Sequence, residues 1–177
     1  MKANFLKHWF HGHWLHGQSG TALVEVLMSV AITGLLGTGT VMAISSIYDQ
    51  NALQTVHISA VMQAENAVTW LSRDAQMAQT ISPTGGTGFP LDMSWVDWNG
   101  DSHQVTYAIT GSDLVRTHLD GGGSRQTVIA TSIVTGNLTN CQYAGGVLNY
   151  KFTTRVSMDQ FAATEVRIGE VKPRAAM

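Results

Sequence analysis

One carboxylate, Glu25, lies near the start of a long uncharged apolar run. The nearest charged side chains are Lys7 before it and Asp49 after it. A charge deep in a membrane costs about 2.5 kcal/mol or more, and the cost shrinks near the interface. In the first turns of a helix, Glu25 is also favoured by the positive end of the helix dipole. The chemistry that suits this carboxylate is ion pairing with a cation.

The segment Asp-Trp-Asn-Gly-Asp-Ser at 97–102 has oxygen-bearing side chains at alternate positions, as a calcium loop does. However, Ser102 stands where an EF-hand needs glycine, and Ala108 stands where it needs the bidentate glutamate. The dipeptide Asn99-Gly100 fits a tight turn between two strands. The segment therefore predicts a hairpin turn and no metal site.

Other chemically suggestive residues lack the partners that a reaction needs. Arg73 and Asp74 are adjacent, so on a helix they point in different directions, and we expect a surface charge or a tie between helix and sheet. Cys141 is the single cysteine and is predicted to be a buried, unreactive thiol. No Ser/His/Asp or Cys/His set has supporting context, which predicts no enzyme, no metal and no cofactor. Four histidines before the apolar run are expected at a membrane interface, namely His8, His11, His13 and His16.

The composition indicates one compact domain with an accessory segment. The chain has 177 residues, of which 44% are hydrophobic, and this is enough to build a core. Charged residues make up only 12%, mainly because the first 48 positions contain few of them. The net charge is -2 and no block of like charges is present, so the sequence shows no basic patch for nucleic acid, and none is expected as a partner.

Residues 21–48 are predicted to form a membrane-spanning helix. A helix of this length reaches about 42 Å, more than the roughly 30 Å of hydrocarbon in a bilayer. Lys2 and Lys7 precede it, so the positive-inside rule predicts a cytoplasmic N-terminus with the rest of the chain outside. From the residues alone, a secretory signal peptide and a plain single-span anchor remain as alternatives.

The stretch G-Q-S-G-T-A-L-V-E-V at 17–26 resembles the prepilin family. The resemblance implies a leader at 1–20, cleavage between Gly20 and Thr21 by prepilin peptidase, and N-methylation at Thr21. It also implies that the chain lies in membrane lipid first, and that an inner-membrane assembly platform then moves it into a filament. There Glu25 pairs with the terminal amine of Thr21 on a neighbouring pilin or pseudopilin subunit, which favours one register because each charge is costly unless paired.

Three further stretches bear on the subfamily. S-G-T-A-L-V-E-V is similar to the short pseudopilins of Tad-type pilus systems, whereas residues 67–81 and 105–117 resemble J-type minor pseudopilins. These resemblances imply a structural, minor subunit of a type IV pilus, a type II secretion-like pseudopilus or a DNA-uptake pseudopilus, first in the cytoplasmic membrane and later in an extracellular or periplasmic filament. The alternative is a membrane-anchored, β-rich binding module that does not polymerise.

Beyond residue 48 the pattern predicts that the helix continues as an amphipathic half over 49–82. Its apolar residues recur at spacings of three or four: Leu53, Val56, Ala60, Ala64, Ala67, Leu71, Ala75 and Ala78. The helix is expected to run from Thr21 to about Ile81, where Pro83 and the following glycines stop it.

The remainder, 83–177, is predicted to be a β-rich globular head. Alternating runs predict strands at 92–98, 103–110, 113–119, 126–134, 146–156 and 163–171. Packing such a sheet on the second half of the helix gives an α+β fold with a pilin-like layout.

Overall fold

A computed structural model describes residues 19–83 and 88–174. Helix α1 spans Ser19–Met77 and a 3-10 turn spans Gly136–Leu138. Eight strands follow the helix: β1 Thr80–Pro83, β2 Leu91–Val96, β3 Ser102–Thr110, β4 Asp113–Asp120, β5 Gly123–Ala130, β6 Asn140–Ala144, β7 Val147–Met158 and β8 Phe161–Val171. One long apolar helix with antiparallel sheets confirms the α+β class. The chain divides into two units between Tyr48 and Asp49.

In the first unit, every residue from 21 to 48 is exposed. Leu35 and Met42, for example, are each 73% exposed. Several hydroxyl groups in this stretch are satisfied locally; for example, Ser29 Oγ donates to the carbonyl of Glu25 at 2.7 Å and Thr33 Oγ1 to that of Ser29 at 2.7 Å. Among the described residues, Thr21–Met77 is the helix that is long and apolar enough to cross a membrane.

In the second unit, the predicted apolar stripe of α1 is the helical part of the core. Seven of its eight residues are buried, six on α1 and Ala78 directly after it: Val56, Ala60, Ala64, Ala67, Leu71, Ala75 and Ala78. Leu53 is the exception, at 49% exposed. Because most of the stripe is alanine, the sheets can approach the helix backbone closely, and larger core side chains come from the strands.

The helix ends at Met77 rather than at the predicted Ile81. The residues in between turn into β1, in which Ile81 pairs with Met93 and Pro83 with Leu91 of β2. The N–H of Gln79 donates to the carbonyl of Ser94 at 2.9 Å and starts this pairing. Sheet pairing thus overrides a local helical pattern, as often happens at element ends.

Two antiparallel sheets form the rest of the second unit, a five-stranded sheet in the order β1-β2-β3-β4-β5 and a three-stranded sheet in the order β6-β7-β8. Alternate residues of their strands point into one core, which includes Leu91, Met93, Val105, Tyr107, Leu114, Leu148 and Phe152. The predicted Asn99-Gly100 hairpin turn is confirmed between β2 and β3, with Gly100 at φ 90°. The predicted strand at 126–134 lies earlier in the structure, at Gly123–Ala130, and β1 and β6 were not predicted.

Candidate functional site

The residues that the sequence singled out for processing and assembly lie at the start of α1. Gly20, Thr21 and Glu25 all fall within its first two turns. Thr21 and Glu25 are both exposed and are four residues apart, so they share one face of the helix. Most of the predicted leader, with its four histidines and two lysines, lies outside the described residues.

The surface around Glu25 is apolar and open. Its neighbours Leu23, Val24, Val26 and Leu27 are between 55% and 66% exposed. Within 19–83 and 88–174, no ion-pair partner of the Glu25 carboxylate is found. A continuous apolar surface of this extent indicates contact with lipid or with other proteins, and a carboxylate within such a surface is costly unless it is paired.

A buried charge network lies in the second unit. Asp74 is 1% exposed, and its Oδ2 accepts hydrogen bonds from Tyr107 Oη at 2.5 Å and from Arg116 Nε at 2.6 Å. Arg116 Nη2 donates to Oδ1 at 3.2 Å, and the guanidinium carbon lies 5.3 Å from the centroid of the Trp70 ring. Burial, together with the charge of Asp74, raises the pKa of Tyr107 far above its usual range. Tyr107 therefore stays protonated near neutral pH.

This network confirms that Asp74 ties α1 to the sheet, whereas Arg73 is exposed beside it. The arrangement includes no nucleophile and no group poised to exchange a proton. Its chemistry is that of a structural ion pair.

Asp97 closes the hairpin turn between β2 and β3. Its Oδ1 accepts hydrogen bonds from the backbone N–H groups of Asn99 and Asp101, each at 2.9 Å. The hydrogen bond from Asp101 is the largest of the effects that lower the pKa of Asp97. In the part of the chain that the structure describes, no three His, Cys, Asp or Glu side chains are grouped to hold a metal ion.

Two histidines that the sequence did not single out meet beside this turn. His103 Nδ1 on β3 lies 3.2 Å from His118 Nε2 on β4, and His103 Nε2 lies 3.5 Å from Asp97 Oδ2. The Trp95 ring on β2 stacks on both imidazoles, with centroids 5.4 Å and 6.0 Å away. Burial, and after it the charge of Arg116, lowers the pKa of His118. We call Trp95, Asp97, His103 and His118 the histidine platform.

The remaining sequence-predicted residue, Cys141, is buried on β6. Its Sγ donates to the carbonyl of Gly88 at 2.8 Å, and burial raises the pKa of the thiol to about 12. This environment confirms the predicted burial, and because the thiolate is the reactive form, it predicts an unreactive thiol.

No family model, no curated protein and no solved structure matches this chain. Its function therefore has to be inferred from the residues and contacts described above.

Proposed function

We propose that this chain is a prepilin-like structural subunit, cleaved between Gly20 and Thr21 and assembled through the N-terminal part of α1. The observation that carries the proposal is the long, exposed apolar surface over 21–48, in which Glu25 is the single charged residue. In a bilayer this surface is covered by lipid, and in a filament it is covered by the same segment of neighbouring subunits. A helix with its backbone fully hydrogen-bonded is suited to both environments.

Cleavage after Gly20 gives Glu25 the partner that the described chain lacks. A free α-amine has an ordinary pKa of about 7.7–8.0, so the new terminus at Thr21 is largely cationic at neutral pH. Thr21 and Glu25 lie one turn apart, so a neighbouring subunit displaced slightly along the filament axis brings its amine to the level of this Glu25. An unpaired charge in a water-poor bundle costs several kcal/mol, which makes this pairing selective for one register.

The order of events follows from the topology. The N-terminus stays in the cytoplasm, the helix crosses the cytoplasmic membrane, and the β-rich unit lies outside. Prepilin peptidase removes the leader, and an inner-membrane assembly platform passes the subunit into an extracellular or periplasmic filament. The machine is a type IV pilus, a type II secretion-like pseudopilus or a DNA-uptake pseudopilus.

A minor rather than major subunit is favoured by the two stretches that resemble J-type pseudopilins, 67–81 and 105–117. In the structure these stretches contact each other, because Asp74 of the first accepts hydrogen bonds from Tyr107 and Arg116 of the second. This contact supports treating the two stretches as one packing unit of a pilin-like fold.

The test is the N-terminus of the mature protein. The chain is produced in a host with prepilin peptidase and in the same host without it, and each product is analysed by intact mass and N-terminal sequencing. We expect a mature chain that begins at N-methylated Thr21 in the first host, and an intact leader in the second and in Gly20→Val. An intact leader in both hosts contradicts the proposal and favours a membrane-anchored binding module that does not polymerise.

A further inference from the structure

We propose that the histidine platform binds a divalent late transition-metal ion, such as Zn²⁺, through His103 Nδ1 and His118 Nε2, with Asp97 behind His103. This site is independent of the proposed assembly function, since it lies on β3 and β4 of the second unit. The ligands are two imidazoles, which are the side chains that zinc, copper and nickel prefer among nitrogen donors.

The spacing of the two nitrogens fits one ion. Zinc lies about 2.0–2.1 Å from an imidazole nitrogen, so two nitrogens on a tetrahedral ion are about 3.3 Å apart. His103 Nδ1 and His118 Nε2 are 3.2 Å apart. The ring centroids are 5.4 Å apart, and the two ring planes are within 18° of parallel. Binding of one ion requires both rings to turn so that the two lone pairs converge on it.

Asp97 sets the tautomer that metal binding needs. His103 Nε2 faces Asp97 Oδ2 at 3.5 Å, so the single proton of neutral His103 is favoured on Nε2, and Nδ1 keeps its lone pair. A carboxylate behind a ligating histidine is the usual outer arrangement at zinc sites. On His118, the proton moves to Nδ1 and frees Nε2. The metal ion thereby occupies the position between the two nitrogens that the hydrogen-bonded proton held before.

The surroundings accommodate a cation and its remaining ligands. A cleft of about 400 Å³ is lined in part by Trp95, His103 and Asp120, which leaves room for water on the His103 side of an ion. The Asp97 carboxylate faces His103, the charge of Asp120 acts on His118, and the nearby charge of Arg116 is paired with Asp74. The Trp95 ring stacks on both imidazoles and keeps them next to each other.

The experiment is a calorimetric titration of the full chain in detergent micelles with Zn²⁺. Because the leader has four histidines, His8, His11, His13 and His16 are replaced by Gln in the parent protein. We expect one Zn²⁺ per chain, and at least about tenfold weaker binding in His103→Gln and in His118→Gln. The matched control is His57→Gln, which removes an exposed histidine of α1 and is expected to leave the affinity unchanged.

Asp97→Asn tests whether the negative charge of Asp97 supports metal binding or whether Asp97 only shapes the turn. Asn keeps the side-chain oxygen that accepts from Asn99 and Asp101, so the turn persists, while the charge behind His103 is lost. We expect about tenfold weaker binding with a stoichiometry of one.

A second measurement does not depend on the variants folding. In the parent protein, Zn²⁺ is expected to shift the ¹⁵N resonances of His103 Nδ1 and His118 Nε2 and to leave those of His57 in place. The proposal is overturned by unmoved platform resonances, by the absence of saturable binding, or by equal affinity in the His103, His118 and His57 variants.

Discussion

Asp74 on α1 and Arg116 on β4 form a buried, two-pronged ion pair, with Nε 2.6 Å from Oδ2 and Nη2 3.2 Å from Oδ1. The pair joins residues 42 positions apart in the chain. Both side chains are largely withdrawn from water, at 2% and 12% exposed. Forming such a pair requires both charges to lose their water. Removing one partner is more destabilising, because the other charge then stays buried without a partner.

Asp74→Asn is therefore expected to lower the free energy of unfolding by about 3 kcal/mol. The amide keeps the shape of the carboxylate but leaves the Arg116 charge unmatched. Urea unfolding of the full chain in detergent, followed by circular dichroism, measures the change. The neighbouring Arg73→Ala removes an exposed charge from the same helix and is expected to stay within about 0.5 kcal/mol of the parent. Equal stability of the two variants contradicts the structural role of the pair.

Tyr150 and Gly169 are directly paired across β7 and β8, and Gly169→Ala is expected to destabilise the protein by about 1–3 kcal/mol. An added Cβ would lie 2.5 Å from Tyr150 Oη and 2.7 Å from Cζ. The ring has little freedom to move, because it is buried beside Phe152 and its Oη is 2.9 Å from Ser72 Oγ on α1. Thermal unfolding measures the loss.

The control for Gly169→Ala is Gly121→Ala. An added Cβ at Gly121 meets no atom within 4 Å, and its backbone is not in the left-handed region. We expect this substitution to leave the stability nearly unchanged. Similar losses in both variants would mean that close packing under Tyr150 is not the cause.

Cys141 is expected to resist alkylation while the protein is folded. Burial raises the pKa of its thiol from an ordinary 9.0 to about 12, so at pH 9 the folded protein contains roughly a thousandth of the thiol as thiolate, against about half in the unfolded chain. Iodoacetamide labelling followed by mass spectrometry, with and without urea, measures the difference. Rapid labelling of the folded chain at pH 9 would contradict the burial of this thiol.

The same shift predicts how stability depends on pH. A raised pKa in the folded state means that the thiol contributes stability fully below the unfolded pKa, and that this contribution falls as the pH rises above about 9. Cys141→Ser has no thiol to ionise. We expect the stability difference between parent and Cys141→Ser to shrink between pH 8 and pH 11, and a constant difference would contradict the shift.

Local periodicity was enough to predict the buried stripe of α1, because a helix repeats the same face every three or four residues whatever it packs against. It was not enough for β1, whose residues Thr80 and Ile81 continue the helical pattern and become a strand only by pairing with Ser94 and Met93. The platform needed still more, namely the register that pairs His118 with Val105, so that His103, two residues before Val105, lies diagonal to His118. Periodicity describes one element, whereas such sites depend on pairs of elements.

Glu25→Ala is expected to leave cleavage after Gly20 largely intact and to reduce incorporation into filaments at least tenfold, a loss that corresponds to about 1.4 kcal/mol or more. Cleavage depends on the bond before Thr21, whereas incorporation depends on an anion four residues later that meets the new amine of another subunit. Immunoblots of sheared filaments and of membranes from one culture measure both steps. Glu170→Gln, an exposed carboxylate on β8, is the control and is expected to incorporate normally. Undiminished incorporation of Glu25→Ala, with the mature N-terminus at Thr21, would contradict the pairing while leaving the processing itself in place.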